Sequence, residues 1–300
     1  MKSVRSFFLA LLLPGLYLLG SAAVAALVAY PVFRFMGSDN VSDFRSLVSR
    51  GGQAVMLLGL WPLARRVRLT GSDLGFCSAW FKQWWIGFVI GAFMLAILVL
   101  LLVLLDVRQI VGSRWVPDQL LPITLKALGI GFAVALMEET LFRGALLAFV
   151  RKMSGPLAAA LVSAFYFACL HFIGTKWTTP LDQVGWDTGF RIALDGFYHI
   201  REAAPDVFLG LFLAGLLLAS VRILFSGSLG ICMGIHAGWV FIIKSSKPLT
   251  YMVPTSPFAF LVGNYDQFVG YLSSLWLGLL LVLLLWLCRD RFGVGDSHES

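Results

Sequence analysis

The residues from Trp84 to Leu105 read WWIGFVIGAFMLAILVLLLVLL, an apolar run without a single charge. A helix that crosses the hydrocarbon core of a bilayer needs about 20 mostly apolar residues. Further runs lie at Phe7–Phe33, Leu47–Ala64, Pro122–Val150, Pro156–Ile173, Val207–Phe225, Leu229–Ile243 and Tyr271–Cys288. The second is short and interrupted by Gly51, Gly52 and Gln53, and the run from Pro122 is longer than one crossing needs. The expected fold is all-α: a polytopic membrane protein with about eight transmembrane helices.

Composition agrees. The chain is 59% hydrophobic and 13% charged, against about 25% charged in soluble domains. The net charge of +7 reads as juxtamembrane Lys and Arg that set topology. No aromatic-interleaved basic patch is present, so a nucleic-acid partner is not expected. Cys77, Cys169, Cys232 and Cys288 lack CxxC spacing and read as small buried residues rather than disulfide or zinc ligands.

Lys2 and Arg5 precede an apolar stretch that resembles a secretory leader. That stretch continues to Phe33, long enough to span, so an uncleaved first helix is expected. Lys and Arg divide evenly between the two sides. The clusters at helix ends (Arg65, Arg66 and Arg68; Arg151 and Lys152; Arg289 and Arg291) favour cytoplasmic termini. The expected location is a bacterial-type plasma membrane. The polar segment 174–206 includes GFRIALDGFYHIRE, which has the aromatic content of a short interfacial helix; an ordinary loop is the alternative. Residues 289–300 read as a disordered tail. Without an internal repeat, an inverted-repeat transporter gains no support.

Against this background, ALMEETLFRGALL, from Ala135 to Leu147, is anomalous. It places Glu138, Glu139 and Arg143 inside an apolar run, where an unsatisfied charge costs several kcal/mol. Glu139 and Arg143 are separated by four residues, so they meet on one helical face and can pair. Glu138 is rotated about 100° from Glu139 and is left as a reactive carboxylate. Two histidines also sit in apolar surroundings: His171 in FACLHFI and His236 in GIHAGWVF. His199 and His298 lie in loop and tail and read as solvated.

Depth links the three groups. Counted from the short turn at Arg151–Pro156, Glu138 and His171 each lie roughly 20 Å in at 1.5 Å per residue, and His236 about 12 Å from the same side. Glu138 could take a proton from water, one histidine could assist, and the other could hold the developing oxyanion. A Glu and two His could also bind zinc, but HExxH spacing is absent, so a metal is not implied and no cofactor is expected. Each group taken singly has a plainer reading: a structural ion pair, or histidines that glue helices together. A proton-coupled transporter is a weaker third possibility.

These residues resemble the CAAX protease and bacteriocin-processing (CPBP) family, the glutamate-dependent intramembrane proteases that include the type II CAAX prenyl endopeptidases. EETLFRG, Glu138 to Gly144, resembles the EExxxRG motif, FACLH resembles FxxxH, and HAGWV resembles HxxxN in its histidine. The resemblance covers roughly Pro122 to Ile243. It implies about eight helices around a conical intramembrane cavity open to water and lipid. It also implies Glu138 as the base, His171 as its assistant and His236 as an oxyanion donor, with Glu139 and Arg143 supporting. The family's asparagine falls at Val240, which removes a donor; Asn264 in VGNYD is one candidate substitute. On this reading residues 1–118 form helices without motifs, and 119–288 form the core. The expected activity is endopeptidase cleavage of a membrane-bound protein or lipidated peptide. The alternative is a non-enzymatic immunity or scaffold protein with the same fold.

Overall fold

The computed structural model describes residues 4–175, 177–225 and 227–291. The helices are α1 (Val4–Met36), α2 (Val41–Arg66), α3 (Gly71–Leu74), α4 (Trp80–Leu104), α5 (Pro117–Glu139), α6 (Leu147–Ser154), α7 (Pro156–Leu170), α8 (Thr188–Tyr198), α9 (Pro205–Leu224), α10 (Leu229–Leu249) and α11 (Tyr271–Leu287). A π-helical turn, Thr140–Leu146, joins α5 to α6 without a break. The protein is an all-α polytopic membrane protein.

Each apolar run of the sequence coincides with helix to within a few residues, the run from Pro122 continuing through the π turn into α6. Among the described residues, five helices meet the length and apolarity of a full crossing: Arg5–Met36, Trp80–Leu104, Pro117–Ser154, Pro205–Leu224 and Leu229–Leu249. α7 and α11 are apolar but shorter, and α2 is diluted by its polar first half. The largest differences from the sequence reading are at two boundaries. α2 starts at Val41 because Asn40 caps it, accepting from the Ser42 N–H at 2.9 Å. α10 does not stop at Ile243: Lys244, Ser245, Ser246 and Lys247 extend it for more than another turn. Arg289–Arg291 of the expected tail form a short 3-10 turn, and 292–300 lie outside the described residues.

Lipid is as apolar as leucine, so helices in a membrane associate through close packing at small residues. α4 and α10 do this reciprocally. A Cβ at Gly87 or Gly91 would overlap the backbone of Ile231 or Ile235, and one at Gly234 would overlap that of Trp84. Gly238 faces the Phe88 carbonyl in the same way. Only glycine permits this approach, and it fixes α10, with His236 on it, against α4. α10 also packs on α5, α7 on α9, α9 on α11, and α1 on α2. Val89, Phe93 and Leu100 on α4, and Leu275, Leu279 and Val282 on α11, stay exposed on the outside, as a lipid-facing surface requires.

Two features outside the bundle matter for the site. Arg108–Ile110 (β1) and Thr250–Met252 (β2) pair antiparallel, with Gln109 opposite Tyr251. This ribbon ties the end of α4 to the end of α10. Arg108, only 2% exposed, donates to Thr250 Oγ1 at 2.8 Å and to the Thr250 and Gln267 carbonyls. The segment 253–270 that follows β2 is thereby anchored where it approaches the cavity. The polar segment 174–206 does contain a helix. α8 docks on α1 and α2, with Ile192 buried among Ala29, Phe33, Phe44 and Val48.

Candidate active site

The π turn is the local device that builds the site. Such turns occur mostly as single insertions into α-helices, frequently where function lies. This one begins directly after Glu138 and Glu139 and carries Arg143. The backbone groups it disturbs are met by hydroxyls: Ser163 Oγ donates to the Phe142 carbonyl at 3.1 Å, and Thr140 Oγ1 to that of Leu136 at 2.6 Å.

Glu139 and Arg143 are fully buried and paired, Arg143 Nη1 donating to Glu139 Oε1 at 2.8 Å. Arg143 Nη2 donates to the Gly215 carbonyl at 3.1 Å. That carbonyl is within reach because Gly215 lets α9 come close to Ala164 on α7. The guanidinium also lies 4.4 Å from the centre of the Phe167 ring.

Glu139 has a second partner that the helical spacing does not suggest. Nδ1 of His236 lies 2.8 Å from the same Glu139 Oε1. The pair is therefore a trio, and Glu139 orients an imidazole as well as neutralising an arginine. His171 is held differently. It follows the last residue of α7, and its Nδ1 lies 2.7 Å from the Phe167 carbonyl, one of the orphan acceptors at a helix end. A carbonyl can only accept, so Nδ1 of His171 carries the proton and Nε2 is its acceptor.

These anchors turn both Nε2 atoms toward Glu138. His171 Nε2 and His236 Nε2 each lie 3.9 Å from Glu138 Oε2. That is too long for a direct hydrogen bond and suits a bridging water. Glu138 Oε2 is buried and has no hydrogen-bond partner among the described residues. Phe167 touches three members of the cluster: its ring centroid is 4.5 Å from that of His171 and 5.8 Å from that of His236, besides lying under Arg143.

The cluster opens on two cavities. One, of about 470 Å³, is lined by Glu138, His171 and His236, with apolar walls from α4, α9 and α11 and with Lys244 and Lys247 farther along α10. The other, of about 360 Å³, lies between α1, α2 and α8 and also reaches Glu138 and His171. Among the described residues, no group of three His, Cys, Asp or Glu has metal-holding geometry.

The five residues singled out in the sequence thus gather in one place. The depth count put His236 too shallow because α10 starts inside the protein: Ser228 and Leu229 are 1% and 0% exposed, and the Leu229 N–H bonds to the Gly75 carbonyl. Asn264 lies elsewhere, in a polar basin with Arg108, Thr250 and Gln267. Its neighbour Tyr265 lines that basin and both cavities as well. No spacing or motif in the sequence points to Tyr265. Phe167 was visible as the first residue of FACLH, four before His171, but without a role.

No curated protein and no solved structure matches the chain. A family match does exist over the segment that holds the π turn and both histidines. Residues 120–242 match the family described as type II CAAX prenyl endopeptidase Rce1-like. Over that segment the chain is similar to the Rce1-like type II CAAX prenyl endopeptidases, in keeping with the CPBP motifs it resembles.

Proposed function

We propose that the protein is an intramembrane endopeptidase in which Glu138 is the general base. The observation that carries this reading is the unpartnered, buried Glu138 Oε2 with two imidazole Nε2 atoms each 3.9 Å away. A water in that gap donates to Glu138 Oε2 and to His171 Nε2. Its oxygen attacks the peptide carbonyl carbon while its proton passes to Glu138. The carbonyl oxygen becomes an oxyanion. Glu138 then returns the proton to the departing nitrogen, the C–N bond breaks, and an amine and a carboxylic acid are released, the acid passing its proton to the amine or to water.

His236 is assigned to the oxyanion. Its Nδ1 is held on the Glu139 carboxylate, which turns Nε2 toward the place where the oxyanion forms, and Nε2–H donates to the developing charge. Glu139 and Arg143 are positioning residues on this reading. No metal is invoked: activity should survive chelation, and elemental analysis of the purified protein should find no stoichiometric zinc. The substrate is a membrane-bound protein or lipidated peptide. We place both termini in the cytoplasm of a bacterial-type cell, with residues 119–288 as the working core.

The test is Glu138→Gln in a folded protein, with cleavage of quenched membrane peptides, one of them farnesylated, followed in detergent. A comparison of membrane proteins that accumulate uncleaved in cells carrying the variant extends the test beyond the chosen peptides. Undiminished cleavage by the variant sinks the proposal. Val240 favours a second reading, a non-enzymatic immunity or scaffold protein. That reading requires the cellular effect to survive both Glu138→Ala and His171→Ala, and it is lost if either folded variant abolishes the effect.

A further inference from the structure

Stabilising a tetrahedral oxyanion usually takes more than one donor aimed at it. His236 supplies one on the reading above, on which the present inference rests. His171 does not supply another, because on that reading its Nε2 accepts from the attacking water while Nδ1 is held on the Phe167 carbonyl. Val240, one turn beyond His236 on α10, presents only methyl groups to the cavity, and Val134, Phe167 and Ala214 are equally apolar. Other polar side chains on this wall are engaged. Ser273 Oγ donates to the Gly270 carbonyl, and Trp276 Nε1 to that of Met94. Lys244 and Lys247 lie eight and eleven residues beyond His236, roughly 12 and 16 Å along the helix.

Tyr265 differs from all of these. It lines both cavities together with Glu138 and His171. Its ring centroid is 6.3 Å from that of His171, with the planes at 66°, and 6.0 Å from that of Phe172. The Asp266 side chain, next in sequence, caps the backbone N–H groups of Phe268 and Val269 at 2.9 and 2.8 Å, which fixes the turn that presents the phenol. Partial burial, then the charges of Asp266 and Glu138, push the phenol up to about 12, although 48% of the residue remains exposed. The hydroxyl therefore keeps its proton across the neutral range.

We infer that Tyr265 is a catalytic residue of this site: its phenolic O–H donates the second hydrogen bond to the oxyanion, replacing a donor that Val240 cannot provide. No proton leaves the phenol. It strengthens one hydrogen bond as charge develops, then releases the oxygen when the carbonyl re-forms.

The experiment compares parent, Glu138→Gln, Tyr265→Phe and Tyr265→Phe/Val240→Asn on a reporter peptide, alongside binding of a phosphinate analogue of its scissile bond. Tyr265→Phe is expected to lower kcat by roughly 100-fold with KM unchanged. It should weaken the phosphinate at least tenfold while leaving uncleaved peptide affinity alone. Adding Val240→Asn should recover at least tenfold in kcat. A Tyr265→Phe enzyme that turns over like the parent while Glu138→Gln is inactive overturns this inference and leaves the protease reading intact. A loss confined to KM, with unchanged phosphinate binding, also overturns it. A Glu138→Gln protein as active as the parent sinks the protease reading and this inference with it.

Discussion

Glu139 is the residue on which two buried groups depend, and its replacement should be costly in a graded way. Its Oε1 accepts from Arg143 Nη1 and from His236 Nδ1, both at 2.8 Å, with no solvent exposure. Glu139→Gln keeps the shape and removes the charge. Each bond then falls from the charge-assisted range of about 1.5–3 kcal/mol to about 0.5–1.5, a total loss of about 2–3 kcal/mol. Glu139→Ala removes both acceptors and strands Arg143 on the Gly215 carbonyl and the Phe167 face. Breaking a buried pair from one side costs about 3–5 kcal/mol, or more than a hundredfold in the folding equilibrium. Arg143→Met should cost a similar amount. The double variant Glu139→Met/Arg143→Met leaves no uncompensated charge and should be more stable than either single apolar replacement. Glu138→Ala, which breaks no direct hydrogen bond, should stay within about 1 kcal/mol of the parent. The assay is unfolding in dodecyl maltoside titrated with SDS, read by tryptophan fluorescence. If Glu139→Ala unfolds with the parent, or if the double variant loses the sum of both singles, the trio does not carry the stability assigned to it.

Two further outcomes follow from features outside the trio. Gly238→Ala drives a Cβ into the Phe88 carbonyl and the Ala92 amide, so overpacking should cost about 1–3 kcal/mol in the same titration; a change below about 0.5 kcal/mol would contradict the close seam. Asp73, between α2 and α4, is held down to about 2 by the Thr70 N–H and by Lys152. A depressed carboxylate stabilises above its unfolded value, about 4, and that contribution is lost as pH falls through about 2. Asp73→Asn should therefore speed proteolysis of segment 67–79 at pH 7 with pepsin-like cleavage matching the parent at pH 2, and equal protection at both pH values would refute it.

The spans and the polar cluster within them were legible in the sequence for different reasons. Apolar runs report helices because lipid leaves the backbone little alternative. Charges in those runs report a site because lipid penalises them. The pairing of Glu139 with Arg143 was readable from their spacing, and the common depth of Glu138 and His171 from a count of residues. The bond from His236 to Glu139 was not readable. It depends on how closely α10 approaches α5 and α4, which is set by glycines whose role emerges only when two helices are seen face to face. The π turn was equally hidden, since one extra residue in a turn leaves no mark in composition. Tyr265 lies on a stretch without periodicity, positioned by an Asp266 cap and an Arg108 anchor far away in sequence.

The glycine seam between α4 and α10 also bears on how such a site could diversify. His236 stands on a wall where backbone meets backbone, so a mutation there must move a whole helix before it changes the cavity. The facing wall, from α9, α11 and segment 253–270, meets the cavity through side chains such as Leu211, Trp276 and Tyr265. New specificities, whether arising by drift or by laboratory selection, should accumulate on that facing wall. An inhibitor built against the α10 side should be the slower of the two to lose its grip to resistance.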